Sequence, residues 1–147
     1  MNRTRTLLLN SHQISQRINR IAYQIYEDNF DEKEIIIIGI WQNGYLLAEK
    51  IQKALNSICE IKTKLFDLRI NKHSQGDHEV TISGSRDEMV GKSIILVDDV
   101  LNSGKTLIYS MKAILSTDTK KIRTVLLVDR DHRRYPADPD HHRREHA

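Results

Sequence analysis

Residues Ile35 to Ile40 read Ile-Ile-Ile-Ile-Gly-Ile, which leaves no polar position on either side of a strand. An antiparallel strand with one wet face alternates apolar and polar residues. A continuous β-branched run instead predicts a strand buried on both faces, the habit of parallel sheets covered by helices. The flanking segments supply such helices. Ile14, Ile18, Ile21, Ala22 and Ile25 recur at helical spacing after a capping Asn10 or Ser11, and this helix is expected to end near Asn29. Gly44 is expected to open a second helix carrying Leu47, Ala48, Ile51, Ala54 and Leu55.

The same alternation continues along the chain. Ser93 to Val97 reads as a buried strand. Lys105 to Ser116 reads as a helix with Leu107, Ile108, Met111, Ile114 and Leu115 on its inner face. Ile122 to Val128 reads as a last buried strand, and Thr6 to Leu9 as a short first one. From Ile58 to Leu68, Cys59, Ile61, Thr63 and Leu65 alternate with charged residues, the period of a strand with one wet face. Arg69 to Asp87 is polar and glycine-bearing apart from Val80-Thr81-Ile82, which suggests a long mobile loop or a hairpin. The fold class expected is α/β, a doubly wound, mostly parallel sheet flanked by helices. Ligands of such sheets bind beyond the carboxyl ends of the strands. Trp41 to Gly44, Asp98 to Thr106 and Asp129 to Arg134 should therefore converge.

Length allows one domain with a real core: the chain has 147 residues. The expected division is a single domain over 1–138 and a disordered tail over 139–147. No apolar run approaches the ~20 residues of a membrane helix. Met1 to Arg5 is basic, but no signal-peptide apolar core follows. The single Cys59 excludes an internal disulfide and suits a reducing cytoplasm. A net charge of +3 permits anionic ligands without demanding nucleic acid. Arg130, Arg133, Arg134, Arg143 and Arg144 crowd the C-terminus, where His141, His142 and His146 offer a metal-binding cluster or simply a frayed tail.

The most informative string for chemistry is Ile95-Leu96-Val97-Asp98-Asp99-Val100-Leu101-Asn102-Ser103-Gly104-Lys105. An apolar run meets two adjacent carboxylates, then a loop of small polar residues, then a helix start. Helix N-terminal amides attract an anion, and Gly104 lets the backbone approach it. Asn102, Ser103, Gly104, Lys105 and Thr106 suit a phosphate; Asp98 and Asp99 suit vicinal hydroxyls. Gly104-Lys105-Thr106 mimics the end of a P-loop, but that motif needs a glycine where Asp99 stands. A carboxylate there would repel a wrapped triphosphate. The bland alternative is a solvated helix cap.

This string resembles the acid-acid signature of the type I phosphoribosyltransferases, and the pattern is most similar to the pyrimidine-operon attenuator and uracil phosphoribosyltransferase subfamily. Asn10 to Asn29, Ile35 to Ile51 and Leu126 to Pro136 look like segments of that subfamily in the same order. The resemblance implies binding of phosphoribosyl pyrophosphate and transfer of phosphoribose to a nucleobase, with a pyrimidine such as uracil favoured. It implies that Asp98 and Asp99 contact the ribose hydroxyls, with Mg²⁺ held mainly by the substrate near them. It makes Gln42, Asn43 and Gly44 the pyrophosphate loop, which here lacks the usual Lys or Arg. It also implies that Arg69 opens the catalytic loop and that Val128, Asp129 and Arg130 belong to the base pocket. Asn102 stands where purine enzymes carry an acid, which argues against a purine.

The same resemblance allows an alternative role: a nucleotide-sensing regulator that binds RNA with weak or no catalysis. It also implies a homodimer, while Cys59 and the lack of a long apolar run are the grounds for expecting a cytoplasmic protein with no membrane partner. The C-terminus departs from the family, since Tyr135-Pro136-Ala137-Asp138 is not followed by the usual apolar segment and strand. Paired acids with a later Lys also occur in receiver-like signalling domains. There they lie near the start of the chain, whereas here they lie two-thirds along.

Overall fold

The computed structural model describes residues 11–72, 78–101 and 104–129. Helix α1 (Ser11–Asn29) precedes strand β1 (Glu34–Ile40), helix α2 (Asn43–Ile58) and strand β2 (Lys62–Lys72). Then come β3 (His78–Ile82), the single-turn helix α3 (Arg86–Met89), β4 (Ser93–Leu101), α4 (Lys105–Leu115) and β5 (Lys121–Asp129). The strands form one five-stranded sheet in the order β3-β2-β1-β4-β5. All pairings are parallel except the β2–β3 hairpin. The expected doubly wound α/β architecture is therefore present. The strand expected at Thr6–Leu9 and the tail at 139–147 lie outside the described residues.

The sheet is covered on both sides, which is why β1 is apolar throughout. Ile35 and Ile37 join Ile95 and Val97 under α1 and α2. Ile36, Ile38 and Ile40 join Ile94 and Leu96 against Met89 of α3 and Ile114 of α4. Ile35 through Ile38 are fully buried, and each contributes roughly 2–3 kcal/mol of transfer free energy. One buried polar pair links the layers: Ser93 donates its hydroxyl to Asn29 Oδ1 at 2.6 Å, and the Asn29 amide donates to the Ile25 carbonyl at 2.9 Å.

Several sequence expectations change in detail. β2 starts at Lys62, because α2 runs on through Ile58, and it continues past Leu68 to Lys72. It is an interior strand, so it has no single wet face: Leu65 packs under the α1–α2 layer, while Phe66 and Leu68 face the other layer. The segment expected as a loop or hairpin is a hairpin, with Leu68 opposite Ile82 and Lys72 opposite His78. It is followed by α3, whose capping box was missed. Ser85 Oγ accepts from the Glu88 amide, and Glu88 Oε1 accepts from the Ser85 amide at 2.9 Å. On α4 the inner face is Leu107, Ser110, Met111 and Ile114, whereas Ile108 and Leu115 are exposed. β5 is an edge strand rather than a buried one, and Arg123 and Thr124 are exposed.

Candidate functional site

β4 does not stop at the acids. Its pairing with β1 ends at Val97 opposite Gly39, but it continues along β5 with Asp98 opposite Leu126, Val100 opposite Val128 and Leu101 opposite Asp129. Asp98 and Asp99 thus lie on a strand that overshoots its neighbour. The sequence had placed them where the strand ends; the ladder to β5 is what extends it. Both acids are partly buried. The Asp99 amide donates to Asp98 Oδ1 at 2.8 Å. Burial pushes the Asp98 carboxyl up to about 7, the neighbouring Asp99 adds to the rise, and the Asp99 amide opposes it.

Gly44 brings the first loop against this pair. A Cβ on Gly44 would lie 2.6 Å from the Val97 carbonyl oxygen, 3.0 Å from Asp98 Cα and 3.3 Å from Asp98 Oδ1. Only a glycine lets the start of α2 sit on the end of β4. Gly39 repeats the device one strand over, where a Cβ would lie 2.4 Å from Tyr45 Cα. Trp41, Gln42 and Asn43 are exposed at the head of this turn, and the Trp41–Gln42 peptide is cis. The turn contains no basic residue.

Arg69 reaches the turn from β2. Its guanidinium lies 4.0 Å from the centroid of the Trp41 ring, and its Nε donates to Asp67 Oδ1 at 3.2 Å. Trp41 in turn packs on Tyr45, with ring centroids 5.6 Å apart. On the other side, Gly104 adopts the left-handed conformation (φ 83°) immediately before α4. Lys105 and Thr106 occupy the first turn of that helix and are exposed. A cavity of about 310 Å³ joins them to the first loop, lined by Ile40, Trp41, Ile70, His78, Lys105, Thr106 and Tyr109.

Two groups of the expected residues are therefore brought together. Asp98 meets Gly44, and Lys105 and Thr106 share a cavity with Trp41. Val128 and Asp129 reach the same strand end through their pairing with Val100 and Leu101. Asn102, Ser103 and Arg130 lie outside the described residues. Two features escaped the sequence reading. Trp41 had no partner assigned, and His78, read as a solvated loop histidine, stacks on Tyr109 at 4.2 Å. Both contacts join elements distant in sequence, so no local pattern could signal them.

The donor set suits a hard divalent cation shared with a ligand. Among the described residues, no group of three or more His, Cys, Asp and Glu gathers at metal-binding distance. Two adjacent carboxylates, one of them reluctant to ionise unaided, fit an ion that takes its remaining oxygens from substrate and water. Among the described residues, no helix is long and apolar enough to cross a membrane.

Comparison with known proteins agrees with this geometry. The family described as the phosphoribosyl transferase domain matches residues 5–143. The "Bifunctional protein PyrR" of Brevibacillus brevis is 31% identical over 143 residues, which is 92% of this chain and 80% of that one. The protein of the same name from Haemophilus ducreyi is 32% identical over 142 residues, 92% and 79% of the two chains. Among solved structures, a hypoxanthine-guanine phosphoribosyltransferase from Bacillus anthracis superposes with a TM-score of 0.72 at 19% identity, covering 83% of this chain and 72% of that one. A purine phosphoribosyltransferase from Pyrococcus horikoshii gives 0.65 at 22% identity, with 82% and 75% covered. These two share the fold. Sheet order, glycine-seated loop and family match converge on one statement: this chain belongs to the phosphoribosyl transferase family.

Proposed function

We propose that the chain binds phosphoribosyl pyrophosphate across the carboxyl ends of β1 and β4 and transfers its phosphoribose to a pyrimidine base, uracil being favoured. The observation that carries this reading is the seating of Gly44 on Asp98. It gives one cleft both a pair of carboxylates and the N-terminal end of α2. The ribose 2′ and 3′ hydroxyls donate to Asp98 and Asp99. The amides that follow Gly104, with the Thr106 hydroxyl, hold the 5′-phosphate at the tip of α4, together with Asn102 and Ser103. The amides and side chains of Gln42 and Asn43 take the pyrophosphate.

In the reaction a ring nitrogen of the base attacks the anomeric carbon and gives up its proton to water or to the departing pyrophosphate. The carbon–oxygen bond to pyrophosphate breaks, and its electron pair leaves with the pyrophosphate. Asp98 and Asp99 place negative charge beside the sugar as positive charge grows on it, and positioning supplies much of the acceleration. Mg²⁺, held mainly by the substrate beside these two carboxylates when bound, would offset the negative charge of the pyrophosphate. Val128, Asp129 and Arg130 are the proposed base contacts. Catalysis in a cytoplasmic homodimer is part of the same proposal.

The test is a panel of uracil, hypoxanthine, guanine and xanthine with labelled phosphoribosyl pyrophosphate and Mg²⁺. Turnover with uracil alone is expected, with its loss in the Asp98→Asn, Asp99→Asn double variant. Full activity of that variant refutes the assignment. A second reading, a nucleotide-sensing regulator of RNA, is favoured by the absence of a cation from Trp41-Gln42-Asn43-Gly44. It gains further support from the word "bifunctional" in the names of the relatives. RNA affinity that falls with added salt would support it, and no binding at low salt would remove it.

A further inference from the structure

We infer that Arg69, carried on β2 and lying over Trp41, supplies the positive charge that the Trp41–Gly44 turn lacks, and so sets the affinity for the diphosphate half of the substrate. This rests on the proposed function and assigns a role within it. The turn offers Trp, Gln, Asn and Gly to a ligand group that carries several negative charges. Neutral donors bind such a group about half as strongly as charged ones. The guanidinium is placed beside this turn by the backbone. Ile40 pairs with Leu68, and the Trp41 amide donates to the Leu68 carbonyl at 2.8 Å. Arg69 is the next residue, so it is fixed in register with the turn.

Its face is fixed as well. Asp67 pairs with Gly39, whose open side is filled by Tyr45 at the start of α2. Asp67 and Arg69 are two apart on one strand and share that side. Asp67 is itself anchored, because its amide donates to Ser83 Oγ at 3.0 Å and its carbonyl accepts from the Ser83 amide at 2.9 Å. It therefore works as a positioning residue that steadies the arginine through Nε. The Arg69 side chain is half exposed, and both of its contacts are of the weak, solvent-screened kind. A diphosphate offers the same guanidinium planar, bidentate, doubly charged hydrogen bonding. Leaving the Trp41 ring for the ligand is thus favourable.

The chain has one tryptophan, and it is the one that Arg69 covers. Its fluorescence reports the move directly. Titration with magnesium pyrophosphate should change Trp41 emission in the parent protein, whereas ribose 5-phosphate, bound elsewhere in the cleft, should change it little. By calorimetry, Arg69→Ala should weaken magnesium pyrophosphate at least tenfold and leave ribose 5-phosphate within twofold. Adding Gln42→Arg to Arg69→Ala should restore most of the loss, because the charge returns to the turn itself. Arg69→Gln, which keeps the side-chain stem, replaces Arg69→Ala if the latter does not fold.

Unchanged pyrophosphate affinity in Arg69→Ala, with ribose 5-phosphate still bound, overturns the inference and leaves the functional reading standing. So does a loss that appears in Lys105→Ala but not in Arg69→Ala. If the parent protein binds neither ligand, both the reading and the inference fall.

Discussion

Asp98→Asn should stabilise the ligand-free protein at neutral and alkaline pH, and only there. The parent Asp98 titrates at about 7 in the fold against 3.8 as a free side chain, because burial disfavours the ionised form and Asp99 repels it. The folded state therefore holds the Asp98 proton more tightly than the unfolded chain does. Between about pH 4 and 7 the fold carries the extra proton, so stability falls as pH rises through that window and levels off above it. Moving a carboxyl from 3.8 to about 7 corresponds to about 4 kcal/mol if solvent did not screen it. The group is only partly buried, which reduces the expected effect to roughly 1–2 kcal/mol. An asparagine keeps an oxygen for the Asp99 amide and carries no charge. Urea unfolding in the presence of a chelator is the assay. Near pH 4 the two proteins should unfold at similar urea concentrations. At pH 8 the midpoint of the Asp98→Asn protein should lie about 0.5–1 M higher. The same substitution should abolish binding of ribose 5-phosphate. Equal midpoints at pH 8, or a gap of the same size at both pH values, would refute a charge held at a cost beside Asp99.

Two further predictions concern packing. Gly44→Ala must push the start of α2 off the end of β4, since its Cβ would lie 2.6 Å from the Val97 oxygen; a loss of roughly 1–3 kcal/mol is expected by thermal unfolding, with weaker pyrophosphate binding by calorimetry. Ser93→Ala leaves the buried Asn29 Oδ1 without its donor and should cost about 1–3 kcal/mol in chemical denaturation, whereas the exposed Ile108→Ala should cost far less.

The architecture was legible because its longest apolar runs are distinctive, although the run at Ile122–Val128 does not distinguish the edge strand it forms from a buried one. Ile35 to Ile38 admit only a strand covered on both faces, and the spacing of Ile18, Ile21 and Ile25 admits only a helix. The end of β4 was not legible, because the ladder that carries Asp98 and Asp99 onward is made by β5, and pairing partners are not written in local pattern. The β2–β3 hairpin was left open for a related reason: Asn71 and Lys72 look like loop residues and become strand only through Glu79 and His78 opposite them. The helix start at Lys105, just after Gly104, could be inferred from residue types alone. The meeting of Arg69 with Trp41 could not, since it depends on β1 and β2 lying side by side in one register.

That register has an unusual origin. A row of identical isoleucines is a ruler with few numbers: slide β1 along its neighbours and, over the middle of the row, one isoleucine replaces another. Gly39 is the sharpest mark on the ruler, because the backbone of Tyr45 leaves room for no other residue there. Exchanges of isoleucine for valine or leucine at positions 35 to 38 should therefore keep the register, at a cost of about 0.5–1.5 kcal/mol each. A shift or loss of that one glycine would leave the strand free to stop at the wrong notch, carrying the Trp41 turn away from both Arg69 and Asp98.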